Sequence, residues 1–337
     1  MKILWLKADF LHPARKGGQL RTLQMLKRMH RRHEIHYVAL DDQSSQEAVP
    51  RAAEYSTRAY PVPHRAPRRE SPAFWGQLAR NVFSPLPLSL ARYQSRELRE
   101  RVREVMRRES PDMMVCDFLA PAVNLDDLAP WVLFQHNVET MIWRRHAATA
   151  PDPLRKLYFR AQAERMFQVE ADVCRQVHKV IAVSERDSRS HRDLFGLRSV
   201  PSVPTGVDVE SLTPPAPKAV ETDLIFVGSM DWMPNIDGVN YFLDEILPRI
   251  RRKRPDCSVT ITGRHPPASL QRRVRSDPKL RVTGTVEDIR PFLWSAAVSI
   301  VPLRIGGGTR LKIYESMAAK TPVVSTSIGA EGLDVHP

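Results

Sequence analysis

The sequence predicts an α/β chain built as two doubly wound halves, and three observations predict it. At 337 residues the chain exceeds the size at which a single hydrophobic core stops growing. Short apolar runs of strand character alternate with stretches of helical spacing along most of its length, which is the pattern of parallel βαβ units. A proline-bearing stretch, LTPPAPKAV from Leu212 to Val220, divides the two series of runs as a stiff, extended connection. The expected organisation is a Rossmann-like domain over 1–211, a linker over 212–220 and a second Rossmann-like domain over 221–337.

In the first half, strands are expected near Ile3 to Leu6, Ile35 to Leu40, Met113 to Cys116, Val132 to Phe134 and Val180 to Val183. In the second half they are expected near Leu224 to Val227, Val259 to Thr262, Val282, Val298 to Val301 and Val323 to Ser325. Between the first two of these, Val239, Phe242, Leu243, Ile246 and Ile250 recur at helical spacing and give one apolar face to lay on a sheet. The arginine-crowded segment from Arg92 to Arg108 reads as an amphipathic helix. Tyr60 to Pro87, rich in proline, reads as a long insertion between a strand and a helix, open to two roles: a specificity element or a surface loop.

Composition narrows the classes. With 42% hydrophobic and 26% charged residues the chain is an ordinary globular one and not a disordered one. No apolar run is long enough to cross a bilayer, and the opening MKILWLKADF is too short and too polar for a signal peptide, so a cytoplasmic protein is expected. Cys116, Cys174 and Cys257 sit singly among apolar neighbours, without zinc spacing, and read as buried spacers in a reducing compartment. The net charge of +13 is unevenly placed: residues 1–200 hold 34 Lys and Arg against 23 Asp and Glu, the remainder 17 against 15. Such a field suits a phosphorylated acceptor or an anionic membrane face. Nucleic acid is not expected, because no aromatic recognition motif is interleaved with the charge.

The chemistry concentrates in the second half. After the run ending near Leu303, Gly306, Gly307 and Gly308 let the backbone approach a ligand closely, and the helix that follows offers its positive end, which together make a diphosphate cradle. Thr309 is placed to cap that helix, with Arg310 and Lys312 as cationic donors at the same end. Glu315 falls about a turn and a half into the helix, where a carboxylate accepts hydrogen bonds from both ribose hydroxyls of a nucleotide. In the first half, Gly17 and Gly18 lie between the first strand and its helix, as a second close-approach site for the donor. His136 follows the strand Val132 to Phe134, at the end of a parallel strand where open α/β sheets gather ligands. No H-E-x-x-H, P-loop or G-x-S-x-G competes with this set.

GGGTRLKIYESMAAKTPVVST, Gly306 to Thr326, resembles the donor-binding signature of glycosyltransferase family 4, whose members have the GT-B fold. FVGSMDWMPNIDG (Phe226 to Gly238), ITGR (Ile261 to Arg264), VTGTVEDIRPFL (Val282 to Leu293) and VPTGVD (Val203 to Asp208) follow the family order. So do KGG (Lys16 to Gly18), QHNVE (Gln135 to Glu139) and VSERD (Val183 to Asp187) in the first half. The resemblance implies two Rossmann-like domains facing a cleft, the first binding the acceptor and the second the nucleotide-sugar donor. It implies a retaining transfer to a polysaccharide, glycolipid or lipid-linked acceptor in cell-envelope synthesis, with His136 bonded to the transferred sugar and Gly18 beside it. The donor, a UDP- or GDP-sugar, is a substrate; neither cofactor nor metal is implied. The nucleotide contacts implied are Gly17, Gly18, Gly228, Ser229, Arg264, Arg304, Gly307, Gly308, Thr309, Arg310, Lys312 and Glu315.

Two positions depart from the family. Gly307 stands where the family commonly has the first of two glutamates, next to the donor sugar. Ser229 and Met230 stand where many members carry an arginine that neutralises the diphosphate, so Arg264, Arg304 or Arg310 is expected to supply that charge. The family's closing C-terminal segment has no counterpart before Pro337. These departures leave a second reading, a GT-B-fold protein that binds nucleotide without transferring sugar. Peripheral attachment to the inner face of the plasma membrane is the expectation that goes with the basic first half.

Overall fold

The run KILWLK is apolar on both faces of its pleat, and a strand of that kind is stable only with a layer packed on each side. In the computed structural model it is β1 (Lys2–Lys7), at the middle of a parallel sheet. The structure describes all residues except 15–16, 68–70, 82, 151, 216–218, 307–309 and 334–337. They form two compact units, Met1–Pro204 and Thr205–Pro337.

The first unit adds β2 (Glu34–Asp41), β3 (Arg58–Pro63), β4 (Met113–Asp117), β5 (Trp131–Phe134) and β6 (Lys179–Ile181), in the order β3-β2-β1-β4-β5-β6 with every pairing parallel. Alternation along the strands splits the core in two. Leu4 and Leu6 pack with Val38 and Leu40 on one face, while Ile3 and Trp5 pack with Ile35 and Tyr37 on the other. β3 lies where only a surface insertion was expected. Its Pro61 and Pro63 lack the donor a central strand needs, and β3 is the edge strand, where proline is tolerated. Part of the same stretch is the helix Pro72–Asn81.

The arginine-rich helix runs from Arg96 to Glu109, started by Ser95, whose Oγ accepts from the Leu98 N–H at 3.2 Å. It buries Leu98, Val102 and Val105 and turns its arginines outward, where Arg96, Arg101 and Arg103 pair with Glu100, Glu104 and Asp126. Ser184 caps the helix Glu185–Phe195: its Oγ accepts from the Asp187 N–H at 3.1 Å and donates to the Asp187 carboxylate at 2.7 Å. The VSERD motif is thereby accounted for as a helix start.

The second unit holds β7 (Thr222–Val227), β8 (Val259–Thr262), β9 (Leu280–Gly284), β10 (Ala296–Val301) and β11 (Val323–Ser325), ordered β11-β10-β7-β8-β9 and again all parallel. One face of this sheet carries a large cluster around Phe226, Val239, Phe242 and Ile261, and the other a small one of Ile225, Leu293, Ala296 and Ala319. The division between the units falls ahead of the Leu212–Val220 stretch. Leu212 is buried in the second unit, its carbonyl accepting from Trp294 Nε1 at 2.7 Å. Cys116, Cys174 and Cys257 are buried free thiols. Among the described residues no helix is long and apolar enough to cross a membrane.

Candidate functional site

In each sheet the strand order reverses at one place, between β1 and β4 in the first unit and between β7 and β10 in the second. Chains leaving the carboxyl ends of two such neighbouring strands diverge to opposite faces and leave a crevice between them, the usual ligand position in open α/β sheets.

At the first reversal Lys7 and Asp117 are register partners at the ends of β1 and β4, and both are fully buried. One Asp117 carboxylate oxygen, Oδ2, accepts from Thr22 Oγ1 at 2.7 Å, Lys7 Nζ at 2.8 Å and Trp5 Nε1 at 3.1 Å. The other, Oδ1, accepts from His136 Nε2 at 2.8 Å. Burial works against this carboxylate, but the Lys7 ammonium and the His136 ring hold its pKa below the usual range. Asp117 is therefore ionised and saturated with donors.

His136 is shaped by the same bond. Its pKa is pushed down to about 4 by burial, which outweighs the adjacent carboxylate, so the ring is neutral at physiological pH. Because an ionised carboxylate only accepts, the single ring proton sits on Nε2 and Nδ1 keeps an open lone pair. The Phe118 ring stacks on His136 at 4.0 Å and 11°, and Phe134 meets it edge-on at 4.8 Å.

Gly17 and Gly18 are the first residues of the helix Gly17–Met29. A Cβ on Gly18 would lie 2.7 Å from Phe118 Cζ and 3.7 Å from His136 Nδ1. Gly18 thus leaves room for two rings of its own chain, Phe118 and His136. Lys16 lies outside the described residues. From the same helix Arg21 lies over the Phe134 ring and donates to the Val203 carbonyl.

Behind His136, the loop is held by Glu170. Its buried carboxylate accepts from Gln135 Nε2 at 3.2 Å, from the N–H groups of Glu139 and Thr140 at 2.9 and 2.7 Å, and from Thr140 Oγ1 at 2.6 Å. Glu170 thereby caps the helix Glu139–Thr149 from outside it, and burial raises its pKa to about 7.

At the second reversal the loop after β7 begins with Gly228, where a Cβ would lie 2.8 Å from Lys312 Nζ. Lys312 donates to Asn235 Oδ1 at 3.0 Å and stands over the Phe226 ring at 4.4 Å. Burial, together with the neighbouring Arg310 charge, lowers its pKa to about 7 against the pull of Glu315. Arg264 is tied to Ser229 Oγ at 2.7 Å and to Asp231 at 2.9 Å. Arg304 makes a forked pair with Asp237 at 2.5 and 3.0 Å and covers the Tyr241 ring.

Gly306 has φ +147°, a conformation that excludes most side chains, and the Arg310 guanidinium fills the space its Cβ would take while lying over Trp232. Gly307, Gly308 and Thr309 lie outside the described residues. The helix Leu311–Ala318 begins after Arg310, which holds the N-cap position without a side-chain bond; the capping expected of Thr309 falls outside the described residues. Glu315 is on that helix, partly buried, its pKa raised by burial against the charge of Lys312. Among the described residues its carboxylate has no hydrogen-bond partner.

A third group, Glu34, His36 and Glu109, brings three metal-ligand atoms within 4.8 Å of one another. Both His36 nitrogens are already engaged there, with Tyr60 Oη and Glu34 Oε1 at 3.0 Å each.

Lys7, Asp117, Thr22 and Glu170 were not among the residues singled out in the sequence. Their signal is a charged or polar type inside an apolar run, such as Lys7 ending KILWLK and Asp117 ending MMVCD.

Comparison with known proteins agrees with this fold. The sequence profile described as Glycosyltransferase Family 4 matches residues 15–211, and that described as Glycosyl transferases group 1 matches residues 221–335. A Klebsiella pneumoniae relative, an uncharacterized 44.6 kDa protein in a cps region, is 21% identical over 98% of this chain and 84% of its own length. Among solved structures, sucrose-phosphate synthase from Thermosynechococcus elongatus superposes with a TM-score of 0.67 at 13% identity, over 98% of this chain and 82% of that one. Anabaena HepE in complex with UDP-glucose does so with a TM-score of 0.63 at 13% identity, over 96% and 80%.

Proposed function

The chain belongs to Glycosyltransferase Family 4 and has the GT-B fold, and from that premise we propose that it moves a sugar from a UDP- or GDP-sugar to a polysaccharide, glycolipid or similar acceptor with retention of configuration. The observation that supports this most is the neutral His136, fixed by Asp117 so that its bare Nδ1 can accept a hydrogen bond from a hydroxyl of the transferred sugar. A retaining transfer of this kind breaks the bond between the anomeric carbon and the diphosphate oxygen. The acceptor oxygen bonds to that carbon on the same face, and its proton leaves with the diphosphate. No carboxylate nucleophile is needed. The protein supplies positioning and charge stabilisation through its own cationic side chains, without metal or cofactor.

Glu315 holds the nucleotide ribose in this scheme, since a partly buried carboxylate with open acceptor positions is what two vicinal hydroxyls require. UDP-glucose is the first donor to offer, because HepE has been seen with it. Glu315→Gln should weaken nucleotide affinity by about 1.5 to 3 kcal/mol, the contribution of a hydrogen bond to a charged group. Titration calorimetry checks this, and equal affinity of variant and wild type removes Glu315 from the site. If the wild type binds nucleotide but neither transfers nor hydrolyses the donor, the chain is the nucleotide-binding, non-transferring protein that Gly307 brings to mind.

We further place the acceptor at an anionic membrane face on the cytoplasmic side, in cell-envelope polysaccharide synthesis. The positive surplus of residues 1–200 motivates this, since each unpaired Lys or Arg near such a surface contributes on the order of 1 kcal/mol. Pelleting with anionic but not neutral vesicles, released by high salt, is the expected result; equal partitioning into both leaves the charge without this role.

A further inference from the structure

Of the three arginines expected to neutralise the donor diphosphate, two are already neutralised. Arg264 is paired with Asp231 at 2.9 Å, and Arg304 is clasped by both carboxylate oxygens of Asp237. The third, Arg310, is buried with its guanidinium packed against Gly306 and Trp232. Lys312 differs from all of these. Among the described residues its one hydrogen-bond partner is the uncharged Asn235 amide, and no carboxylate lies within ion-pairing distance of it. It is aimed at Gly228, where the chain leaves β7 at the reversal of strand order. A partly buried amine without a counter-ion is poorly stabilised until an anion arrives.

We propose that Lys312 is the cation that meets the donor diphosphate in this chain, held toward it by Asn235. The assignment rests on the donor-binding reading above. Asn235 is itself fixed, donating to the Ser229 carbonyl at 2.8 Å, so the arginine missing at Ser229 and Met230 is replaced by a lysine reaching the same loop from the helix Leu311–Ala318.

A consequence is that donor binding is linked to proton uptake. With its pKa near 7, Lys312 is only half charged at neutral pH in the free protein, and a diphosphate beside it favours the ammonium. The groups that bear on it are Arg310, which opposes its charge, and Glu315 on its own helix, which favours it. β7 presents only the Phe226 ring, the loop after it the closed Asp231–Arg264 pair, and the helix Met233–Tyr241 the neutral Asn235 beside an Asp237 held by Arg304. Ionisation of Glu315 strengthens ribose binding as pH rises, which is the opposite sign.

The test is titration calorimetry with UDP-glucose, and with GDP-mannose if the first does not bind, at pH 6, 7 and 8 in buffers of different ionisation enthalpy. These diesters do not titrate in this range, so any proton taken up belongs to the protein. Wild-type affinity should be about tenfold weaker at pH 8 than at pH 6, with nearly one proton absorbed at pH 8. Lys312→Arg should bind at every pH without that slope. Lys312→Met should lose about tenfold or more at pH 6. Affinity independent of pH with no proton uptake, or full affinity of Lys312→Met at pH 6, overturns the assignment. Should Lys312→Met fail to fold, the wild-type proton count and the arginine variant decide alone. If the wild type binds neither sugar nucleotide while retaining a cooperative melt, the donor reading itself fails and this assignment with it.

Discussion

The two reversal points share a topology but are built in opposite ways. At the first, between β1 and β4, a lysine, an aspartate, a threonine and a tryptophan N–H are closed on one another out of reach of water, and the His136 ring they orient keeps its Nδ1 lone pair open. At the second, between β7 and β10, Lys312 and Glu315 are partly exposed, and among the described residues neither has a charged partner in contact. A group whose bonds are all satisfied holds geometry; a group whose bonds are open binds. The first unit therefore spends its polar chemistry on aiming one ring, and the second keeps its own for a ligand.

The largest effect expected to break this contrast comes from Asp117→Ala. It leaves the Lys7 ammonium buried without its counter-ion, and removal of one partner of such a pair costs about 3 to 5 kcal/mol. A change in denaturation midpoint of that size is expected, whereas Glu315→Gln should leave stability nearly unaltered. If Asp117→Ala melts like the wild type, the network is not what holds the first unit.

Next in size is Gly18→Val. Its side chain must displace the Phe118 ring, an overpacking that costs about 1 to 3 kcal/mol, and the His136 stack moves with it. Both melting temperature and transfer rate should fall. Loss of transfer with an unchanged melt would show that the space at Gly18 is used by the ligand rather than by Phe118.

The remaining effects are in pH. His136 has its pKa lowered to about 4 from 6.5, so the unfolded chain takes up a proton that the folded ring refuses, and stability falls as pH drops through that window. Glu170 has its pKa raised to about 7 from 4.5, so its folded form holds a proton that the unfolded one releases, and stability falls as pH rises through that range. His136→Asn should flatten the acid limb and Glu170→Gln the neutral limb, read from urea midpoints between pH 4 and 8. If either variant leaves its limb unchanged, that group does not carry the slope.

How much of this was legible in the sequence follows from the same contrast. Part of the second site is a contiguous stretch of sequence, from Gly306 to Glu315, and local spacing is enough to read a glycine run, a helix and a carboxylate there, whereas its partners Gly228 and Asn235 come from another element. The alternation that predicted ten strands is equally local. The first site is assembled by topology: Lys7 and Asp117 are far apart in the chain and meet only because β1 and β4 pair. A lysine or an aspartate at the end of an apolar run is more often on a surface than inside, so nothing local marks it. His136 was singled out by its place after a parallel strand together with the QHNVE resemblance, but its orienting partner Asp117 was not. β3 was missed for a different reason, since proline argues against a strand everywhere except at an edge, and edges are known only once the sheet is ordered.

The stack at Phe118 has a consequence for timing. With one phenyl face 4.0 Å away and a second ring edge-on at 4.8 Å, the imidazole cannot turn over and exchange its two nitrogens without unpacking its neighbours. The rotational freedom of that side chain is thus lost during folding, once, rather than at each encounter with a sugar. In the proposed transfer an incoming hydroxyl would meet an acceptor already standing still, and no entropy of ordering would be subtracted from the bond it makes.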